Sequence, residues 1–336
     1  MRILIFNFFL GIQERGIPIY AANIAHALRL DGNVVHQFHL PKFANKLPKF
    51  LLNILFVLSE QLLMPWLSLF YNKTIYPYNT VAIVGSFSRS TLLIVHDFIP
   101  NKISDKSIVA RYVRLCQLIY SKFNGDVAFV SRTTYRIANT LGLFSTSRKY
   151  LIPNGFWNFK VNGASSVFEN TNYVLLCTGT GSNKNLTGAL DLYSNNPKLK
   201  CLDLILFGVA GNRKILDNWL KLNSNKNIGT IIVLPKLTDS EVVEIYSKAN
   251  FVWIHSKHEG YGRSIAEARY CSKFVVASNI PPFREQCDEF VSLYKNQLTF
   301  DLAIDRALDL SSMKATVREP FENHLIREAL GCWLSV

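Results

Sequence analysis

The sequence has few charged residues, no paired cysteine motif and no clustered run of basic residues. Charged residues make up 18% of it, and none of its six cysteines forms a CxxC pair, so neither a zinc ribbon nor a redox motif is indicated. We therefore expect reduced thiols in a cytosolic protein. The net charge of +13 favours anionic partners such as nucleic acid, acidic lipid or phosphorylated small molecules. Because the basic residues are scattered and no nucleic-acid-binding signature is present, we expect no nucleic-acid partner.

The sequence also has no evident secretion signal and no internal repeat. The apolar run in MRILIFNFFLG is short and lacks a small-residue cleavage site, so we interpret it as a first buried strand. One longer apolar stretch, residues 50–70, is nearly long enough to span a bilayer. Asn53, Glu60, Gln61 and Pro65 interrupt it, and a carboxylate within a membrane is costly. This pattern predicts a core helix kinked at Pro65, or a helix lying on a membrane surface.

Short apolar runs alternate with helical patterns along the whole chain, which indicates the α/β class with parallel sheets covered on both faces. The helical patterns include residues 19–29 and 239–248. The predicted strands cover residues 3–6, 34–40, 81–84, 91–95, 127–130, 149–152, 173–177, 201–207, 230–234, 251–254 and 274–277.

A length of 336 residues suits two domains, and the polar stretch of residues 156–172 is the predicted boundary. We expect two Rossmann-like, doubly wound domains, 1–160 and 170–315, facing each other across a cleft. Residues 316–336 are expected to form a helix that crosses back to the first domain. Ligands of such sheets bind at the carboxyl ends of the strands.

The segment of residues 251–284, FVWIHSKHEGYGRSIAEARYCSKFVVASNIPPFR, predicts strand, glycine-bounded loop, helix and strand in that order. Gly260 and Gly262 flank Tyr261, so the backbone can turn tightly and approach a ligand closely. Arg263 and Ser264 then begin a helix whose first N–H groups suit a diphosphate.

Two glutamates share this unit. Glu259 ends the loop, and Glu267 is expected in the first turn of the helix, where it could accept hydrogen bonds from sugar hydroxyls. Singly, each would usually be a solvated surface charge. Their occurrence in one strand–loop–helix unit with two glycines favours a ligand site.

The stretch HEGYGRSIAEARYCSKFVVASNIPPFRE resembles the donor-site signature of glycosyltransferase family 4, whose members have the two-domain GT-B fold and retain anomeric configuration. The resemblance implies that Glu259 contacts the transferred sugar and that Glu267 holds the ribose. Arg263 and Ser264 stand where Leu-Pro is usual in the family, and this difference could tune donor choice.

A second donor segment, TGTGSNKNL at residues 178–186, resembles the family's Gly-Thr followed by Arg-Lys-Asn. The resemblance places Gly179 and Thr180 in the donor site and implies that Lys184 pairs with the donor diphosphate. Asn183 replaces the usual arginine, so one cation of the family pattern is missing. By itself, Lys184 would be interpreted as a solvated lysine.

Two segments of the first half resemble the same family. ERGIPIYAANIAHAL at residues 14–28 is similar to its Gly-Ile-Gly loop and helix; Gly16 fits, but Pro18 replaces the second glycine. LLIVHDFIP at residues 92–100 is similar to its HD-Leu-Ile-Pro strand end, which implies that His96 hydrogen-bonds the transferred sugar. The alternative for His96 is a His–Asp turn capped by Asp97, with no catalytic role.

SEQLLMP at residues 59–65 resembles a Glu-Gln-x-x-x-Pro helix of mannosyltransferase-like members, which build bacterial surface polysaccharides such as the O-antigen of lipopolysaccharide. We therefore expect a cytoplasmic enzyme that transfers a hexose, with mannose from GDP-mannose the leading donor. Its partners would be the nucleotide-diphosphate sugar and a glycan or lipid-linked acceptor, with peripheral contact to the inner leaflet.

No metal or further cofactor is predicted. His255 and His258 lack a carboxylate or cysteine partner at ligand spacing, no DxD pair follows a strand, and GT-B enzymes generally need no bound metal. Two alternatives remain. A nucleotide-sugar-binding protein without transfer activity is motivated by Pro18 and Asn183. A dinucleotide-dependent oxidoreductase would need GxGxxG after the first strand, and residues 11–16 lack that spacing.

Overall fold

The computed structural model describes residues 1–12, 16–84, 90–101, 107–157, 159, 172–210, 213–226, 228–311 and 322–336. The chain divides into two compact units. The first comprises Met1–Trp157 and Pro320–Val336, and the second comprises Asn158–Glu319. Most of the predicted boundary segment, residues 158 and 160–171, and the start of the predicted C-terminal segment, residues 316–321, lie outside the described residues.

The first unit is a parallel sheet with helical connections. Along the chain its elements are β1 (Arg2–Phe6), α1 (Ile17–Leu30), β2 (Val34–Phe38), α2 (Lys49–Leu58), α3 (Met64–Ser68), β3 (Lys73–Tyr76), β4 (Thr91–Val95), α4 (Ile108–Tyr120), β5 (Asp126–Phe129), α5 (Arg132–Thr140) and β6 (Lys149–Leu151). The strand order is β2-β1-β3-β4-β5-β6, and every pairing is parallel. Residues of β4 are buried throughout, as expected for a strand covered on both faces.

The second unit has the same plan. Its elements are β7 (Tyr173–Cys177), α6 (Leu186–Asn195), β8 (Asp203–Phe207), α7 (Lys214–Leu222), β9 (Ile231–Val233), α8 (Asp239–Lys248), β10 (Phe251–Ile254), α9 (Arg263–Tyr270), β11 (Val275–Ser278), α10 (Pro281–Arg284), β12 (Val291–Tyr294) and α11 (Gln297–Leu310). The strand order is β12-β11-β10-β7-β8-β9. Alternate residues of β7 enter different cores, Leu176 on one face and Leu175 on the other. The prediction of doubly wound parallel sheets is confirmed.

The chain ends in α12 (Glu322–Leu334), which belongs to the first unit and packs against α1 and β6. The indole of Trp333 donates to Asp126 Oδ2 at 3.0 Å. Arg148 donates to the same buried carboxylate through two nitrogens, at 2.7 and 2.8 Å. This buried network joins the C-terminal helix to β5 and so completes the first unit.

One strand prediction was wrong, and two strands of the structure, β3 and β12, were not predicted. The predicted strand at residues 81–84 is a partly buried loop, and the third place in the first sheet is taken by β3, residues 73–76. The run Lys-Thr-Ile-Tyr is short, starts with a charge and is followed by Pro77, so it gave a weak pattern. Asn79, with φ of 64°, turns the chain out of the sheet before residue 81. β12 was missed.

The core-helix prediction for residues 50–70 was also wrong. α2 contains no buried residue; one side packs partly against the core, and the other faces solvent. A π-helical turn, Ser59–Leu63, joins α2 to α3. The continuous helix Lys49–Ser68 has 20 residues and a mean hydropathy of 1.6, so it is long and apolar enough to cross a membrane by length and composition alone.

Candidate active site

The loop between β10 and α9 contains the first glutamate of the sequence pattern. Glu259 accepts a hydrogen bond from Lys184 Nζ, and the two side chains form an ion pair, although 75 residues separate them in the sequence. Both follow the carboxyl ends of neighbouring strands, β10 and β7. Parallel strands bring such loops together at one edge of the sheet. The structure therefore joins two predicted site residues that came from separate motifs.

Gly262 ends this loop in a conformation that favours glycine. Its φ is 89°, in the left-handed region, and a Cβ there would lie 2.5 Å from Cε1 of Phe283. Gln286 Nε2 donates to the carbonyl oxygens of Tyr261, at 2.5 Å, and Gly262, at 3.1 Å. The backbone between Glu259 and α9 is thus held in place by contacts with the α10 region.

The second glutamate lies deeper than expected. α9 begins at Arg263, as predicted, but Glu267 lies beyond the first turn and is 2% exposed. Arg263 Nε donates to Glu267 Oε1 at 2.7 Å, and the Tyr246 hydroxyl donates to Oε2 at 3.1 Å. The Ser264 side chain also hydrogen-bonds Tyr246. The i,i+4 spacing on one helix explains why Arg263 pairs with Glu267.

Asn183 hydrogen-bonds the loop after β7 to the loop between β10 and α9. Its carbonyl oxygen accepts from the Lys257 N–H at 2.6 Å and from Ser256 Oγ at 2.9 Å, and its Nδ2 donates to the His258 carbonyl at 3.2 Å. Asn183, the position where the family pattern has arginine, therefore joins the two loops. These contacts hold the backbone that presents Lys184 to Glu259.

Gly179 and Thr180 lie in this same loop, partly exposed. A Cβ at Gly179 would lie 3.4 Å from Cγ of Lys184, so the absence of a side chain leaves room for the lysine stem. Gly208, whose φ is 100°, approaches the loop from the end of β8 so closely that a Cβ would lie 2.3 Å from the Thr178 carbonyl oxygen. Close backbone packing therefore shapes the strand-end surface around Lys184.

A buried histidine network behind the two loops was not predicted. His255 Nδ1 lies 2.5 Å from the Tyr294 hydroxyl, and its Nε2 lies 3.1 Å from Asn185 Nδ2. Burial lowers the pKa of His255 to about 4, so the ring is neutral at physiological pH. Since β12 was not predicted, Tyr294 gave no sequence signal. Among the described residues, no group of three His, Cys, Asp or Glu side chains could hold a metal ion.

His96 directly follows β4 in the first unit. Its Nε2 lies 2.8 Å from the Pro77 carbonyl oxygen, which can only accept, so Nε2 carries the proton and Nδ1 is the acceptor. Burial lowers the pKa of His96 to about 4, which keeps the ring neutral. Its backbone N–H donates to Asn79 Oδ1 at 2.6 Å. Asp97 accepts from the Ile99 N–H at 3.0 Å, so the predicted His–Asp turn is also present.

Gly16 precedes α1 with φ of 80°, and Pro18 lies in the first turn of that helix. A proline is tolerated there because the N–H it lacks has no helical partner. The buried Asn7, which follows β1, donates from Nδ2 to the Pro18 carbonyl at 3.1 Å and to Gln37 Oε1 at 2.9 Å. Sequence reasoning missed Asn7, although a polar residue directly after an apolar strand was a usable signal. Glu14, which opens the quoted motif, lies outside the described residues.

Residues 160–319 match a family model described as glycosyl transferases group 1, and this span covers nearly all of the second unit. The match includes the loop after β7, residues 178–185, and the loop between β10 and α9, residues 255–262. We call these two segments the donor loops, after their predicted role. The second unit therefore matches the group 1 glycosyl transferase model, and this indicates a glycosyltransferase. No curated protein matches the sequence of this transferase.

Solved structures of low sequence identity share the fold of the transferase. Sucrose-phosphate synthase from Thermosynechococcus elongatus matches with a TM-score of 0.72 at 15% identity, over 99% of this chain and 96% of that one. Anabaena HepE in complex with UDP and glucose matches with 0.69 at 16% identity, over 100% of both chains. WaaG, a glycosyltransferase involved in lipopolysaccharide biosynthesis, matches with 0.64 at 10% identity, over 98% and 94%. The transferase has the GT-B fold.

Two ion pairs lie in and beside the loops after β7 and β10. Lys184 pairs with Glu259, and Arg263 pairs with Glu267. Lys184 is 33% exposed and Glu259 is 16% exposed, whereas the carboxylate of Glu267 is buried. An anionic ligand can therefore compete for Lys184 at the surface, while the inner pair stays in place. The loops thus combine glycine-shaped backbone, an exchangeable cation and carboxylates that accept hydrogen bonds from hydroxyl groups.

Proposed function

We propose that the enzyme is a retaining glycosyltransferase that moves a hexose from a nucleotide-diphosphate sugar to a glycan or lipid-linked acceptor. The observation that carries the proposal is the Lys184–Glu259 ion pair beside the start of α9. A cation that is paired with a carboxylate at the surface can exchange that partner for the diphosphate of a bound donor. The released carboxylate is then available to the sugar that the diphosphate carries.

The leaving diphosphate is the main charge to be stabilised. Lys184 and the N–H groups at the start of α9 would neutralise the charge that develops on it, which is usually the largest catalytic contribution of this kind. Among the described residues no side chain caps α9, so its N-terminus is open to such a ligand. Gly260, Tyr261 and Gly262 let the backbone approach the phosphates.

The two glutamates would hold the two ends of the donor. Glu259 orients the transferred sugar once the diphosphate takes Lys184, and Glu267 accepts hydrogen bonds from the ribose hydroxyls while Arg263 keeps its position. His96 Nδ1 offers an acceptor to a sugar hydroxyl. Retention would follow from same-face attack of the acceptor within an oxocarbenium-like ion pair, without an enzyme nucleophile and without a metal cofactor.

The first donor to test is GDP-mannose, because the segments at residues 59–65 and 92–100 resemble mannosyltransferase-like enzymes. The HepE structures hold UDP or UDP-glucose, so UDP-sugars are the second group to test. Thermal unfolding in the presence of GDP-, UDP- and dTDP-sugars would identify the base, because a ligand that binds the folded state raises Tm.

For the acceptor we propose a lipid-linked intermediate of bacterial surface polysaccharide, of the O-antigen type. The WaaG neighbour acts in lipopolysaccharide biosynthesis. α2 and α3 have an exposed apolar side, and the exposed lysines Lys42, Lys46 and Lys49 lie just before α2 and at its first residue. Apolar side chains next to lysines suit peripheral contact with an anionic inner leaflet. The enzyme would then work on the cytoplasmic side of the membrane.

Replacing Glu259 by alanine tests the proposal. We expect Glu259→Ala to abolish transfer while nucleotide binding stays measurable by calorimetry, because the carboxylate serves the sugar and not the base. Glu289→Ala, an exposed glutamate in the same unit, should behave as wild type. Transfer by Glu259→Ala at the wild-type rate would contradict the proposal. So would a wild-type protein that binds a nucleotide sugar but transfers the sugar neither to an acceptor nor to water.

A further inference from the structure

An apolar groove lies between α2 and α4 of the first unit. It encloses about 570 Å³, within the range of about 300–1,000 Å³ typical of small-molecule sites. The two helices and the strand-end loops after β1 and β3 form its walls. The lining residues are Phe9, Phe50, Asn53, Ile54, Phe56, Val57, Leu58, Tyr78, Thr80, Ile108, Val109, Tyr112 and Val113.

Among the described residues, one carboxyl group contacts the wall of the groove, and it is buried. Glu60 is fully buried in the π-helical turn after α2, where it accepts hydrogen bonds from Thr80 Oγ1, at 2.6 Å, and from the Tyr112 hydroxyl. Both partners line the groove. Burial raises the pKa of Glu60 to about 7, so near neutral pH about half of these carboxyl groups are protonated and uncharged. The groove surface is therefore suited to hydrocarbon.

The surroundings of the groove favour an anionic partner. Between Asp31 and Asp97 the sequence has one carboxylate, Glu60, and several cations. Lys42 lies beside Gly11: a Cβ built on Gly11 would lie 3.5 Å from Cγ of Lys42. Gly11 is two residues from Phe9, which lines the groove. One exposed lysine, Lys42, therefore lies near the Phe9 side of the apolar groove. This combination matches a hydrocarbon chain that bears a phosphate.

The groove also opens at the edge of the sheet where ligands are expected. Phe9 follows the carboxyl end of β1, Tyr78 follows that of β3, and His96 follows that of β4; these three strands are neighbours. His96 Nε2 donates to the carbonyl of Pro77, the residue before Tyr78. The apolar slot and the proposed sugar-binding histidine therefore share one edge.

We propose that the groove between α2 and α4 binds the single hydrocarbon chain of a phosphate-linked lipid, which is the acceptor of the enzyme. A bilayer surface could cover the exposed outer side of α2, but it could not fill a concave slot whose floor comes from two strand-end loops. The site therefore takes one chain at a time, with its phosphate near Lys42. That this lipid is the acceptor rests on the proposed function; chain binding itself does not.

Binding of dodecyl phosphate below its critical micelle concentration, followed by calorimetry, tests the groove without any donor or transfer. Ile54→Glu and Val109→Glu place a charge in the wall at positions that are 49% and 55% exposed, so folding should tolerate them. We expect each to weaken binding about tenfold or more, since a carboxylate in an apolar site loses hydration. Leu62→Glu and Leu118→Glu, 68% and 51% exposed but outside the groove lining, are the matched controls and should change the Kd less than about twofold.

Several results would overturn the proposal. They are equal weakening in all four variants, full competition by inorganic phosphate, or binding to phosphatidylglycerol vesicles without any binding of monomeric dodecyl phosphate. A dimer in sedimentation that Ile54→Glu dissociates would assign the groove to a second copy instead. Nucleotide protection of Tm is measured in parallel, because it reports the donor loops alone. Loss of that protection would indicate failure of the proposed function and not of the groove.

Discussion

The donor loops of the second unit and the α2–α4 groove of the first unit are two solvent-facing regions built by opposite means. The donor loops are polar, with two ion pairs and a set of backbone hydrogen bonds centred on Asn183 and Gln286. The groove is apolar, and Glu60, the carboxyl that the described residues place beside it, is buried. Both regions lie at strand-end loops of a parallel sheet.

The difference shows how one sheet architecture can present two surfaces that suit chemically opposite ligands. Paired charges keep the donor loops ordered without a ligand and leave Lys184 exchangeable. In the groove, burial of Glu60 raises its pKa and so reduces a negative charge that would repel an anionic lipid. Specific charges should therefore dominate the first region, and hydrophobic area with protonation state should dominate the second.

After the complete loss of transfer expected for Glu259→Ala, the largest effect is expected from Lys184→Met. Loss of the cation should lower kcat by about 10²–10³-fold, because one electrostatic donor to the leaving group is removed, and it leaves Glu259 unpaired. Steady-state kinetics with the donor found in the nucleotide panel measures the change. Lys198→Met is the control, since Lys198 is 57% exposed and pairs with Asp305 at 2.7 Å on the same unit.

A comparable loss in Lys198→Met would show that overall positive charge drives the reaction and not the local pair. The distinction between the two regions would then fail at its polar end. Rescue by Lys184→Arg, which keeps the charge, would sharpen the assignment.

Glu60 gives the next effect, on stability. Its pKa is raised from 4.5 to about 7, so between these values the folded state binds more protons than the unfolded state. The free energy of unfolding should therefore fall as pH rises through this window, by roughly 3 kcal/mol in total, and level off above it. Burial also raises the pKa of Cys116, to about 12, and that of Tyr112, so neither neighbour titrates there.

Urea unfolding at pH 5, 6, 7 and 8 measures this slope. Glu60→Gln should remove its share of the slope and be the more stable protein above pH 7, because an amide needs no proton. Glu328→Gln, an exposed residue of α12, should keep the wild-type slope. An unchanged slope in Glu60→Gln would mean that Glu60 is ionised throughout, and the groove wall would then be negatively charged.

The sequence predicted the polar region far better than the apolar one. The strand at residues 173–177, the helix at 239–248 and the helix start at Arg263 agree with the structure. Their signals are local: β-branched strands, a Thr238 capping box and glycines before a helix. The sequence placed Lys184 and Glu259 in loops after strands, and the structure shows their ion pair. Their proximity is explained by one rule: parallel strands have their carboxyl ends at the same edge of the sheet.

The apolar region was misjudged because exposure is not a local property. Residues 50–70 have the composition of a core helix, and they form a surface because no element of the described part of the chain covers their outer side. Glu60 is hydrogen-bonded by Thr80 and Tyr112, which lie 20 and 52 residues away in the sequence. No periodicity of the sequence predicts such contacts. The same holds for His255 and Tyr294, which are 39 residues apart.

The smallest effect should separate backbone geometry from side-chain charge in the donor loops. Gly262→Ala should destabilise the second unit by about 2 kcal/mol, because alanine is strained at φ of 89° and its Cβ meets the ring of Phe283. Gly331→Ala, within α12, is the matched control: a Cβ there meets nothing within 4 Å, so it should stabilise the first unit by about 0.5–1 kcal/mol. Calorimetric unfolding measures both changes, and nucleotide protection of Tm reports donor binding. If Gly262→Ala unfolds like wild type and still binds the nucleotide, the loop is not fixed by its glycine, and charge alone must account for the polar region.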